Sequence, residues 1–207
     1  KYNNKILKLT DSKQKLYVLF YKPRQCITAV SDDKERITVI DYLKKIRGWK
    51  TLYPVGRLDY DTEGLLILTN DGDYAQKIMH PSNEIIKCYL AKVEGAVNDK
   101  DLKKLERGFK IDGKFVKCKS VRIIKSLPVN TWIEIKIITG ENRVIRKMCD
   151  YIHHSVIRLI RTAIGGFTLD DAKLKTGEYI ILNNIQKDLV FYKPKFSKHY
   201  KKNSDKK

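Results

Sequence analysis

Three acidic side chains, Asp59, Asp61 and Glu63, stand at alternate positions between Gly56 and Gly64. Several chemistries compete for such a loop. As a calcium loop, the three acids and Gly64 would fill the first, third, fifth and sixth positions, but the twelfth is Asn70 rather than a bidentate Glu. The residues between, Leu65-Leu66-Ile67-Leu68-Thr69, read as a strand. A glycosidase needs an acid and a base placed across a sugar, and Asp59 and Asp61 could serve, but that chemistry does not require a positively charged pocket. Acids and threonines also cap turns. That role suits Asp61, Thr62 and Glu63 better than Asp59, which follows Arg57-Leu58 at the mouth of the loop. Asp59 is therefore the candidate for chemistry and its neighbours are candidates for loop structure.

The elements that must hold this loop are legible as apolar patterns. Leu16 to Tyr21 reads as a buried strand ended by Lys22-Pro23. Ile37, Ile40, Leu43 and Ile46 recur every three residues, which predicts a short amphipathic helix stopped by Gly48. Leu65–Thr69 is a central strand, Asn70-Asp71-Gly72 a turn and Asp73–Met79 a helix. Ile85–Glu94 is a strand and Asp99–Arg107 a helix stopped by Gly108. Residues 115–124 and 131–138 are strands, the second with Ile133, Ile135 and Ile137 on one face. Asn142–His153 is a basic helix, and Val156–Ile160 and Tyr179–Leu182 are late strands. Helices scattered among hairpin-like strands predict an α+β domain with a mixed, largely antiparallel sheet.

Composition narrows the partners. The chain has 207 residues and a formal net charge of +19. The segment Lys193–Lys207 carries seven Lys against one Asp, so the remainder is strongly basic without it. A basic domain with interspersed aromatics suits a polyanion, nucleic acid first, although a Lys-rich genome would give the same bias. No run approaches the roughly 18 apolar residues of a membrane span, and Lys1–Thr10 carries no signal-peptide pattern. Cys26, Cys88, Cys118 and Cys149 are too far apart in sequence for a zinc ribbon or redox pair. They read as reduced, mostly buried thiols of an intracellular protein. The four histidines offer no metal spacing, and no metal site is expected.

The stretch Val55-Gly56-Arg57-Leu58-Asp59-Tyr60-Asp61-Thr62-Glu63-Gly64 and its continuation to Gly72 closely resembles the catalytic motif of the RsuA-type pseudouridine synthases. Further landmarks of that family follow in order. Tyr21-Lys22-Pro23 resembles its Asn-Lys-Pro, Lys87-Cys88-Tyr89 its Lys-x-Tyr, and Asn142–Met148 its Asn-Arg-Gln-Val/Ile-Arg-Arg-Met helix. Arg161, Ile164, Gly165 and Leu169 resemble its Arg…Ile-Gly…Leu segment. The resemblance covers about residues 16–190.

It implies the pseudouridine synthase fold, with a central mixed sheet flanked by helices and an active-site cleft across it. It implies an isomerase that rejoins uracil to ribose through C5, a reaction without redox or energy input and so without cofactor. Asp59 matches the family's essential Asp. Arg146, or second Arg143, would hold that carboxylate ionised, and Tyr89 matches the Tyr that packs on the target base. Lys22, Arg57, Lys147 and the tail lysines are candidates for the RNA backbone. The expected partner is RNA, ribosomal first and transfer RNA second, met by a monomer. A non-catalytic RNA-binding or ribosome-assembly factor is the alternative.

The chain departs from the pattern at several places. Tyr21 stands for the usual Asn, Thr139-Gly140-Glu141 for Glu-Gly-Arg/Lys, and Val144 for Gln. His153 stands where Gly ends the helix, a position that implies a left-handed cap. The family's N-terminal S4 module would be represented only by residues 1–15. Residues 16–192 are then the catalytic domain and 193–207 a basic disordered tail. An intracellular location is expected, in the cytoplasm or, for a eukaryotic chain, an organelle.

Overall fold

In the computed structural model, residues 14–194 are described. The readings of residues 1–13 and 195–207 lie outside them. The strands are β1 (Tyr17–Lys22), β2 (Tyr53–Pro54), β3 (Thr62–Thr69), β4 (Lys87–Glu94), β5 (Phe109–Ile111), β6 (Lys114–Val116), β7 (Ser120–Leu127), β8 (Asn130–Ile137), β9 (Val156–Ile164), β10 (Phe167–Thr168) and β11 (Tyr179–Ile181). The α-helices are α1 (Gly72–Met79), α2 (Asp99–Arg107), α3 (Val144–Tyr151) and α4 (Leu169–Ala172).

The apolar run after Glu63 makes β3 a strand buried at every position, as a central strand must be when both faces are covered. The main sheet runs β11-β1-β3-β9-β4-β8-β7, with β2 beside β3 and β10 beside β9. The β3–β9 pair is parallel, from Thr62↔Leu159 to Gly64↔Arg161, and the other ladders between these strands are antiparallel. The architecture is the α+β mixed sheet flanked by helices that the patterning implies.

Three apolar clusters fill the layers. One lies between β4, β8 and helices α2 and α3, with Ile133, Ile135 and Ile137 at its centre. A second joins β1 and β3 to α1. The third gathers Val18, Phe20, Leu66 and Leu68 under the segment from Cys26 to Leu52. All four cysteines are buried free thiols.

Two expected elements take other forms. The helix read over Ile37–Ile46 is only a 3-10 turn at Asp41–Leu43. Leu43 N donates to the Ile40 carbonyl, Ile46 to Leu43 and Trp49 to Ile46. A three-residue apolar spacing is the period of a 3-10 helix, not an α-helix. The strand read over 115–124 is broken between β6 and β7, and β6 pairs with the unforeseen β5. The cause is the Asp112-Gly113 turn, where both residues have positive φ, the pattern of a tight hairpin. His153 does adopt the left-handed conformation, φ 63°.

Candidate active site

The acidic loop is held from behind by the segment that follows β1. Thr28 Oγ1 donates to the Leu58 carbonyl at 2.8 Å, and Gln25 N donates to the Tyr60 carbonyl at 2.7 Å. Lys22 turns inward and its ammonium donates to three carbonyls: Pro23 at 2.9 Å, Asp59 at 3.1 Å and Thr62 at 2.8 Å. Three donors meeting three acceptors satisfy a buried ammonium completely. Lys22 is fully buried, so the expectation that it contacts an RNA backbone is corrected: it clamps the loop. Burial pulls its pKa down to about 8, against the opposing charges of Cys26, Asp61 and Asp59.

From the other side comes α3. Val144, Ile145, Met148 and Cys149 bury one face of this helix in the core. Arg143, in the left-handed conformation just before it, and Arg146, one turn on, are thereby presented to the loop. Arg143 Nη1 stands 3.7 Å from Asp59 Oδ2 and 4.0 Å from Asp61 Oδ1. Arg146 is buried and spans both acids, with Nη2 2.7 Å from Asp61 Oδ2 and Nε 4.0 Å from Asp59 Oδ2. Its Nη1 donates to the Val156 carbonyl. The shortest arginine contact therefore goes to Asp61. That corrects the reading of Asp61 as loop structure alone: it fixes the guanidinium that faces Asp59. Glu63 is different again. It points to the opposite side of β3 and pairs with Arg158 at 2.6 Å.

The sheet supplies the floor. Side chains alternate across β4 and β9, so Tyr89 and Arg161 share the face of the acidic loop. Cys88, Leu90, Ile160 and Thr162 line a separate cavity of about 410 Å³ on the back. A cavity of about 690 Å³ contains Asp59, Arg57, Tyr89, Lys87, Arg143, Arg161, Thr139 and Glu141 in its walls. Tyr89 is buried, and its hydroxyl lies 3.5 Å from Arg161 Nη1. Lys87 donates to the Ile138 carbonyl at 2.9 Å. Burial, and then the nearby Arg161 charge, pull its pKa down to about 8.

The structure thus gathers Asp59, Tyr89, Arg143 and Arg57 in the walls of one cleft, with Arg146 joined to it through Asp59 and Asp61. Lys147, a candidate for the RNA backbone, is set apart from the cleft lining: its ammonium pairs with Asp112 on the β5–β6 hairpin. Sequence reasoning missed Arg161 and Lys87 as site residues, although both lie in recognised landmarks. No group of His, Cys, Asp and Glu able to hold a metal ion occurs among the described residues.

A carboxylate beside two guanidiniums, with a tyrosine in the same cleft, can act on an electrophilic sugar carbon next to a flat base. Known proteins with the same sequence pattern agree. Residues 16–151 match the family model described as RNA pseudouridylate synthase. The ribosomal large subunit pseudouridine synthase B of Bacillus subtilis is 44% identical over 153 residues, 73% of this chain and 62% of that protein. An uncharacterised RNA pseudouridine synthase of Aquifex aeolicus is 39% identical over 171 residues, 82% of this chain and 67% of its own length. The crystal structure of a pseudouridylate synthase superposes with a TM-score of 0.73 at 25% identity, covering 86% of this chain and 74% of that one. The chain spans somewhat under two thirds of the Bacillus relative it matches. With the motif, the fold and the matched stretch all in agreement, the chain belongs to the RNA pseudouridylate synthase family.

Proposed function

We propose that this protein is an RNA pseudouridine synthase that isomerises a uridine of ribosomal RNA, with Asp59 as its essential carboxylate. One observation carries the reading: Asp59 lies within 4.0 Å of two arginine side chains, in a cleft that also contains Tyr89. The cleft volume falls within the usual range for sites that enclose a small ligand. A uridine inside a helix or loop would have to leave its stack to reach it.

In this reading Tyr89 packs against the uracil and keeps it in place while it is detached. Arg143 and Arg146 flank Asp59 and orient it, ready either to attack C1′ or to take the proton of C2′. Asp61 keeps Arg146 in position from the far side. Arg57 and Arg143, both exposed at the cleft, are placed to meet phosphates. The reaction is an isomerisation with no redox step, so it asks for no cofactor, and one chain supplies every group named. The name of the Bacillus relative favours large-subunit ribosomal RNA as the substrate. An intracellular site of action follows from that substrate. Glu141 and Val144, which replace a basic residue and an amide of the family pattern, line the cleft and bear on which uridine is chosen.

A binding factor that kept the fold without the chemistry has no use for a carboxylate held between guanidiniums. The test is a pseudouridine map of total RNA from cells that carry the parent protein or Asp59→Asn. Loss of one or a few pseudouridines in the variant is expected. Identical maps would overturn the isomerase reading, and identical maps with RNA binding retained would establish the binding factor.

A further inference from the structure

A guanidinium carries five N–H donors, and Arg161 has acceptors for only part of them. The residue is 4% exposed. Its Nε donates to the Leu65 carbonyl at 2.7 Å and its Nη1 reaches the Tyr89 hydroxyl. Its Nη2 is buried with no hydrogen-bond partner. Arg122, Arg146 and Arg158 each have a carboxylate within ion-pair distance, whereas Arg161 has none among the described residues. Its charge is nonetheless felt across the cleft, where it helps to depress Lys22 and Lys87. A charge removed from water without a counter-ion is costly, and a buried donor without an acceptor calls for an explanation. The bond to Leu65 accounts for one nitrogen and not for the cation.

We propose that Arg161 is a catalytic residue that stabilises the negative charge carried by the uracil while it is detached from the ribose. The inference rests on the isomerase reading above. When the N1–C1′ bond breaks, its electron pair leaves with the base. The free uracil is then an anion whose charge is shared by N1 and the carbonyl oxygens O2 and O4. It turns within the pocket, and C5 attacks C1′ to form the new bond. The proton on C5 is then released and N1 gains one, so the product is an isomer of the substrate and nothing is oxidised. The anion exists only between the two bonding events. Arg161 lines the cleft, and a guanidinium donor left without an acceptor in the resting protein gains one when that charge develops, which is how a buried dipole or cation accelerates a step. Arg146 Nε is also buried without a hydrogen-bond acceptor, but the charges of Arg143 and Arg146 already face carboxylates, Asp59 at 3.7 Å and Asp61 at 2.7 Å, whereas that of Arg161 faces none among the described residues. Arg161 contacts Tyr89, so it lies beside the ring on which the base would sit.

The experiment compares the parent chain with Arg161→Gln and Arg161→Lys under single-turnover conditions. The probes are large-subunit ribosomal RNA transcripts made with uridine triphosphate or with 5-fluorouridine triphosphate throughout, and the readout is loss of the N-glycoside at the target. Fluorine stabilises the uracil anion, so the fluorinated base needs less help to leave. Arg161→Gln is expected to bind the transcript within about threefold of the parent yet react roughly a hundredfold slower with uridine, the scale of losing one charge-stabilising donor. With 5-fluorouridine the deficit should shrink to about tenfold or less, and the lysine variant should fall between parent and glutamine. Equal deficits with both transcripts would overturn the proposal. So would variants whose rate loss matches a loss of folded protein, which would make Arg161 a structural residue. Reaction by the parent with equal deficits refutes this inference alone, whereas no C-glycoside from the parent on any ribosomal transcript overturns the isomerase reading with it.

Discussion

Lys22 shows how far one side chain can differ from its sequence appearance. As a lysine in a strongly basic chain it reads as a contact for phosphate, yet its ammonium is buried against the carbonyls of Pro23, Asp59 and Thr62. Its pKa, lowered to about 8 from 10.5, has a thermodynamic consequence whose sign is definite. Below pH 8 both folded and unfolded chains hold the proton. Between pH 8 and 10.5 the folded chain releases it first and the unfolded chain keeps it, so this residue's contribution to stability rises with pH. Urea denaturation of the parent and Lys22→Met should show the parent gaining on the variant by on the order of 2–3 kcal/mol across that window. A gap that stays constant would place the ammonium in water. Asp59 was legible because its motif fixes it beside Arg57 and Leu58. The share of the arginines taken by Asp61 was not legible, because it depends on where α3 lands, and no local pattern encodes that. Arg161 left a fainter signal: it and Arg158 are three residues apart on one strand, which puts them on opposite faces, so only one can meet Glu63.

At the level of elements, the boundaries that local chemistry writes were readable. Helix α2 starts and stops as expected because Asn98 caps it, with Asp101 closing the capping box, and Gly108 ends it. The β5–β6 hairpin was missed because Phe109–Ile111 and Lys114–Val116 are too short to show a period of their own. The 3-10 turn at Asp41–Leu43 was mistaken for a helix because three-residue and 3.6-residue spacings coincide over one turn. Gly64 carries more weight than its place at the edge of the motif suggests. It sits in β3 with φ 122°, and a Cβ there would lie 2.3 Å from the Arg161 carbonyl oxygen and 2.5 Å from its nitrogen. The parallel contact between β3 and β9 therefore requires glycine. Gly64→Ala is expected to destabilise the fold by roughly 3 kcal/mol or more, through a disallowed backbone angle and a steric clash with another backbone. A urea midpoint within error of the parent's would show that the two strands can separate without cost.

The molecule as a whole carries +19, and an RNA partner would make that charge measurable. Each phosphate neutralised by a cation gives an approximately linear fall of log affinity with log salt concentration. Arg57→Ala and Arg143→Ala should each lower that slope by about one when binding to ribosomal RNA is titrated from low to moderate salt. Lys147→Ala should change it less, because that ammonium is hydrogen-bonded to Asp112, away from the cleft, whereas Arg143 comes no closer than 3.7 Å to an acid. Equal slopes for all three variants would move the RNA path away from the cleft. The short seam between β3 and β9 has one more consequence, for the order in which the chain folds. Asp59 comes from the half of the sheet built on β1 and β3, whereas Tyr89, Arg146 and Arg161 come from the half built on β4, β8 and β9. The residues that close the seam are far apart in sequence, and such contacts are the slowest to form. During synthesis neither half is complete before β9 has left the ribosome, since β4 pairs with β9 and β1 with the still later β11, so the cleft comes into being only after that. A nascent chain ending at Tyr151, where the family match also ends, would hold the motif's acid and both α3 arginines and still have no pocket.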